Sequence, residues 1–279
     1  DVYDIASLTK IIATLPNVMQ EFDQGHLTLE TKLKTMLPEA KNSNKANATV
    51  LDMLTHQARF QPWIPFYKAT LDSLNRPSTH YYRNVFSDDF PIHVADKLYL
   101  RKDYNDSIVK TILDSELLPK KQYKYSDFTF ILFKEYLELH SKKSLEELAH
   151  TNFFEPLGAN SIMYNPLRKM NSNRIIPTEN DTYFRHQLVQ GYVHDMAAAM
   201  QGGISGHAGL FANALDVAKV MQMYLQKGSY GGRTYISENT FNMFNTCYFC
   251  KDGNRRGVGF DKPQLGNEGP TCGCVSLTS

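Results

Sequence analysis

Ser7-Leu8-Thr9-Lys10 sets a hydroxyl and an amine at i and i+3 where an apolar helix begins. Residues so spaced share a helix face, so the lysine amine can reach the serine oxygen. A serine hydroxyl is a weak nucleophile until a neighbouring group takes its proton. Lysine can do this when burial and nearby positive potential keep it neutral for part of the time. The positive end of the helix dipole disfavours the ammonium and favours the alkoxide. The Ser7 N–H then points where an oxyanion would form. The chemistry implied is acyl transfer through a covalent serine intermediate, with no cofactor required. The tetrad recurs as Ser107-Ile108-Val109-Lys110, but there the serine lies on the polar side of an amphipathic helix. Ser7 is flanked by Ile5, Ala6, Ile11 and Ile12, which predicts desolvation and makes it the expected nucleophile.

Tyr125-Ser126-Asp127 opens a second apolar helix. A phenol there could stand beside Ser7 and relay protons with Lys10. The residue two further on could hold a substrate amide. Ser126 or Asp127 could equally cap the helix, as could the competing Tyr104-Asn105-Asp106. His194-Asp195 suggests a triad by residue type, yet chain neighbours seldom orient one another that way. The expected roles are a helix start for Asp195, packing for His194 and turn support for His207. Cys247, Cys250, Cys272 and Cys274 cluster near the C-terminus. They could hold Zn²⁺, form disulfides or remain buried thiols, and their spacing leaves these open.

The elements that must position these groups read as mostly helical. Leu8, Ile11, Ile12, Leu15, Val18, Met19 and Phe22 recur at helical spacing over 7–24, with Pro16 expected to kink or locally loosen the helix and Gly25 to end it. Thr49 caps a short helix to Thr55. Asp103 or Asn105 starts one to about Leu117. Asp127 to His140 is strongly apolar, and Ser144 with Glu147 forms a capping box. Shorter helices are expected from Asp195, from Asn213 to Gln226 and from Ser237 to Asn245, with a strand at Gly257 to Phe260. Residues 56–103 carry many aromatics and no clear period, which predicts a wall or lid around Trp63 to Tyr82.

Lys plus Arg number 30 against 29 Asp plus Glu, a formal charge of +1. That balance gives no electrostatic case for nucleic acid or an anionic membrane as partner. No apolar run approaches the roughly 20 residues of a membrane span. The chain neither opens nor closes like a complete domain, and both ends are expected to have been cut.

Together the two motifs resemble the serine β-lactamase, penicillin-binding-protein and esterase superfamily. Ile5-Ala6-Ser7-Leu8-Thr9-Lys10 is close to the family's first motif, and Tyr125-Ser126-Asp127 is similar to its second in the form found in the class C branch. Leu51-Asp-Met-Leu-Thr-His56 and Gly206-His-Ala-Gly-Leu-Phe211 resemble later family segments. The resemblance implies an α+β fold, a helical domain packed on part of an α/β sandwich, with the site in the crevice. It implies one module over 1–279, helical from about 25 to 200, with the terminal sheet strands largely missing. Ser7, Lys10 and Tyr125 are then the catalytic residues, with Gln57, Trp63 and Asp127 at the substrate. That substrate is a cell-wall peptide, a β-lactam or a small ester, in a periplasmic or extracellular setting. Some relatives carry the module fused to a glycoside hydrolase. Two departures matter. The second motif commonly ends in Asn, and a carboxylate cannot donate to a substrate carbonyl as an amide can. Ester hydrolysis is therefore expected to exceed β-lactam hydrolysis, and Asp127→Asn to raise activity on amides. The third motif, Lys-Thr-Gly or His-Thr-Gly, is absent, so these 279 residues alone are expected to be nearly inactive. The rival reading is a non-catalytic muropeptide-binding module of the same fold.

Overall fold

The computed structural model describes residues 1–263. Its helices are α1 (Leu15–Asp23), α2 (Leu33–Met36), α3 (Val50–Leu54), α4 (Tyr104–Asp114), α5 (Phe128–Ser141), α6 (Leu145–Ala149), α7 (Met196–Met200), α8 (Ala214–Leu225) and α9 (Glu238–Asn245). The strands are short: β1 (Tyr3–Asp4), β2 (Tyr82–Arg83), β3 (Ile92–Ala95), β4 (Leu98–Leu100), β5 (Met163–Tyr164), β6 (Glu179–Asp181), β7 (Gln187–Val189), β8 (Leu210–Ala212), β9 (Ser229–Tyr230) and β10 (Arg233–Thr234). The result is the α+β architecture expected, rich in helix with little sheet.

Side-chain caps set several helix starts. Thr49, Ser144, Asn213 and Ser237 each accept the N–H of the residue three further on, at 3.1, 3.2, 2.9 and 3.1 Å. Each such cap contributes about 1 kcal/mol. The first helix is less regular. Residues Lys10–Thr14 form a π-helical turn before α1, and the Leu15 N–H donates five residues back to the Lys10 carbonyl. Pro16 has no N–H to give the Ile11 carbonyl. That carbonyl instead accepts the buried Tyr224 hydroxyl at 2.7 Å. The expected kink at Pro16 is thus taken up as a widened turn.

The strand that matters for the site is β8. It pairs antiparallel with β1 (Tyr3 opposite Ala212) and with β5 (Met163 opposite Phe211). The Ile5 N–H continues this ladder to the Leu210 carbonyl at 3.0 Å, and the Leu210 N–H donates to Thr9 Oγ1 at 3.2 Å. The turn holding Ser7 is therefore pinned to the sheet from both sides.

Below it, Ile11, Ile12, Leu15, Val18 and Met19 are fully buried in one core with Phe128 and Phe133 of α5, Tyr224 of α8 and Phe244 of α9. Each such apolar side chain contributes about 1.5–3 kcal/mol on burial.

Two sequence expectations are corrected, and one alternative left open is decided in part. Gly257 to Phe260 is not a strand: the Gly257 N–H donates to the Phe260 carbonyl, and Gly259 takes a φ of +85°, so the chain curls on itself. The 56–103 stretch is not wholly irregular, because β2, β4 and β3 form an antiparallel sheet inside it. Cys247 and Cys250 form a disulfide, which removes both thiolates as metal ligands. Cys272 and Cys274 lie outside the described residues.

Candidate active site

Ser7 stands on a sharp turn between β1 and the first helix. Ala6, just before it, takes a left-handed φ of +47°. For a residue with a Cβ this costs about 1–2 kcal/mol. Asp4 offsets the strain by accepting the Ala6 N–H at 2.8 Å on one oxygen and the His194 N–H at 2.6 Å on the other. Burial raises the Asp4 carboxyl above its usual range against these two bonds. The turn leaves the Ser7 N–H donating to nothing among the described residues. That N–H is free to meet an oxyanion.

Lys10 is 1% exposed, and its Nζ is the hub of the site. It donates to Ser7 Oγ at 2.8 Å and to the His207 carbonyl at 3.2 Å, and it pairs with Asp127 Oδ1 at 2.8 Å. The ring of Tyr125 lies against it, with Nζ 5.0 Å from the ring centroid. Arg256 faces the same ring, its Cζ 5.8 Å from the centroid. The structure thus brings Ser7, Lys10, Tyr125 and Asp127 together. The rival tetrad is not assembled: Lys110 pairs with Asp114 at 2.5 Å, and Ser107 is exposed on α4.

Asp127 occupies the capping position of α5 but makes no side-chain cap bond. Ser126 does that work in part. Its Oγ accepts the Phe128 N–H at 3.3 Å and donates to the Gln61 carbonyl at 2.6 Å. The carboxylate of Asp127 is left to Lys10.

Two groups that the sequence reading kept structural also reach the site. Asp195 caps α7, accepting the Ala198 N–H at 2.8 Å, as expected. The same oxygen meets His207 Nε2 at 2.8 Å, while His207 Nδ1 meets Ser205 Oγ at 2.9 Å. Burial alone would raise the Asp195 carboxyl. His207, the Ala198 N–H and Lys10 outweigh it and hold the carboxyl well below the usual range. The pairing spans twelve residues and two turns. Gly206 permits it: a Cβ there would stand 1.9 Å from the Phe130 carbonyl, so only glycine lets this turn dock on α5. The one sequence signal was that glycine-rich turn.

A cleft opens beside these groups, lined by Trp63, Phe66, Tyr67, Asp127, Asp195 and His207. Trp63 is 54% exposed at its rim. Gln57 is buried away from that lining, and its amide nitrogen has no partner among the described residues. Tyr82 packs inward on Thr70, 2.8 Å away, so the wall is built from 63–67 and not from the whole aromatic stretch.

The beta-lactamase family model matches residues 1–261. An N-acetylmuramyl-L-alanine amidase of Bacillus subtilis (strain 168) is 27% identical over 263 residues, covering 87% of this chain and 54% of the relative. The Escherichia coli (strain K12) protein named "Putative D-alanyl-D-alanine carboxypeptidase" is 27% identical over 262 residues, covering 88% and 55%. The chain spans about half the length of the curated relatives it matches. Among solved structures, a D-stereospecific amidohydrolase from Streptomyces sp. aligns with a TM-score of 0.61 at 16% identity, over 94% of this chain and 72% of that one. A penicillin binding protein from Bacillus halodurans aligns at 0.59 and 17%, over 92% and 69%. At such identities the likeness is one of fold.

Proposed function

The chain belongs to the beta-lactamase family, and from that premise we propose a serine hydrolase that acts through an acyl-enzyme on a cell-wall peptide or a related small ester. The observation that carries the reading is the 2.8 Å contact between Lys10 Nζ and Ser7 Oγ, on a turn whose Ser7 N–H is unspent. Ser7 Oγ attacks the substrate carbonyl. Proton transfer within the Lys10–Asp127 pair leaves Lys10 an amine that takes the Ser7 proton. That proton passes from Lys10 through the Tyr125 hydroxyl to the leaving group, Tyr125 giving one proton and regaining the one from Lys10, and water then releases the acyl chain by the reverse path. The relatives named as an amidase and a carboxypeptidase support a cell-wall substrate, and that chemistry accords with a periplasmic or extracellular setting.

The test is covalent labelling with a fluorophosphonate and with a penicillin, followed by mass-spectrometric mapping. The adduct is expected on Ser7 and is expected to vanish in Ser7→Ala. An adduct on Ser107, or none at all in the full-length protein, would overturn the mechanism. One observation favours the rival binding module: Asp127 holds Lys10 as a donor to Ser7, so the resting pair offers the hydroxyl no base. Muropeptide binding without label would decide for that rival.

A further inference from the structure

We propose that Glu21, His26 and His140 form a binding site for a single Zn²⁺ ion, remote from Ser7 and independent of its chemistry. The three donors come from separate places in the chain. Glu21 lies near the end of α1, and His140 lies in the last turn of α5. Gly25, with a φ of +76°, folds the chain back so that the His26 N–H donates to the Glu21 carbonyl at 2.9 Å. His26 then stands beside the Glu21 side chain.

The distances suit a tetrahedral ion. Ligands about 2.0–2.1 Å from zinc stand roughly 3.3–3.4 Å from one another. Glu21 Oε2 is 3.2 Å from His26 Nδ1 and 3.6 Å from His140 Nε2. All three donor atoms fall within 4.8 Å of one another. The imidazole rings stand 4.7 Å apart between centroids, and both are near half exposed, so a small rotation closes the third edge.

The carboxylate is oriented for the task. Glu21 is mostly buried, and the Tyr136 hydroxyl donates to its Oε2 at 2.9 Å. Such outer hydrogen bonds fix a ligating carboxylate and usually matter for affinity. Neither imidazole has another hydrogen-bond partner among the described residues. Two imidazoles and one carboxylate are a zinc ligand set, with water at the fourth position. The ion would tie the C-terminal ends of α1 and α5, whose N-terminal ends follow the turns that carry Lys10 and Asp127.

The experiment is calorimetric titration of the chelator-stripped chain with ZnCl₂, with Co²⁺ absorption as a ligand report. We expect saturable binding that His26→Gln and His140→Gln each weaken at least tenfold and Tyr136→Phe weakens about tenfold. Co²⁺ should give tetrahedral visible bands without a thiolate charge-transfer band. His150→Gln, on the remote turn after α6, should leave affinity unchanged. Both substituted imidazoles are solvent-exposed, and circular dichroism checks that each variant is folded. Absence of saturable binding, a thiolate band, or an unchanged affinity in the folded His26→Gln/His140→Gln double variant would overturn the site.

Discussion

At the scale of single residues, the proposed chemistry turns on the contacts around Lys10 Nζ. Ser7 and Lys10 were legible because a three-residue spacing on a helix dictates their contact. Asp127 was legible as a departure from the family's amide, yet its partner was not. The carboxylate stands 2.8 Å from Lys10 Nζ, which belongs to a turn far away in the sequence. That contact changes the expectation for Asp127→Asn. Were Asp127 only a substrate contact, the amide would help amide substrates. Placed on Lys10, the amide removes the carboxylate that would take the lysine proton. The expected outcome is a fall in kcat of about 10²-fold or more on esters and amides alike, since general-base assistance contributes about 10²–10⁴. Lys10→Met should fall at least as far. Steady-state rates on a p-nitrophenyl ester and a D-alanyl-D-alanine peptide check this. A gain on the peptide alone would restore the substrate-contact reading. The Asp195–His207 pair escaped the sequence because nothing local distinguishes a capping aspartate from one that also meets a histidine on another turn.

At the scale of elements, helices with a polar cap and a clean apolar stripe were read to within a residue or two. Thr49, Ser144, Asn213 and Ser237 each announce a start through a short-range bond. Strands were read poorly because most are two or three residues long, too short to show alternation. Pro16 was read as kinking or locally loosening the helix, and the structure shows the loosening, as a π-turn with a borrowed hydroxyl. This yields a coupled prediction. Tyr224→Phe removes the side-chain donor to a buried Ile11 carbonyl that Pro16 cannot serve. An unsatisfied buried acceptor costs about 1–3 kcal/mol, so the variant should lose that much stability. In a Pro16→Ala background the restored N–H can supply the bond, and the Tyr224→Phe penalty should shrink. A double-mutant cycle by urea unfolding measures the difference. Equal penalties in both backgrounds would show that Tyr224 acts by packing alone.

At the scale of the whole molecule, His56 marks where three regions close on one another. It sits at the exit of α3, its backbone at a φ of +55°. Its Nδ1 accepts the Ser126 N–H at 3.2 Å, and its ring packs at a tilt 4.6 Å from that of Tyr125. Its carbonyl accepts the Lys124 N–H at 2.9 Å. From the closing loop, Arg256 faces the same cluster. Burial pushes the imidazole well below its ordinary value, and the charges of Arg256 and Lys10 push it further. The folded protein therefore keeps His56 neutral, while the unfolded chain protonates it near pH 6.5. Above that pH both states are neutral and the group contributes no pH dependence. As pH falls below it the unfolded state alone binds the proton, so stability declines by up to about 1.4 kcal/mol per pH unit. Asp195 adds a second loss lower down, because its depressed carboxyl stabilises the fold only while it remains ionised. Its share is present above about pH 4 and fades as pH falls further. Urea unfolding at pH 7.5, 6.5 and 5.5 should show the first decline before the loss from Asp195 sets in. His56→Asn keeps an acceptor for Ser126 but cannot take up the proton. It should cost stability at pH 7.5 and flatten the slope between 6.5 and 5.5 by up to about 1.4 kcal/mol per unit. An identical slope in the variant and the parent would place the acid sensitivity in other histidines and would free His56 of any role in holding the three regions together.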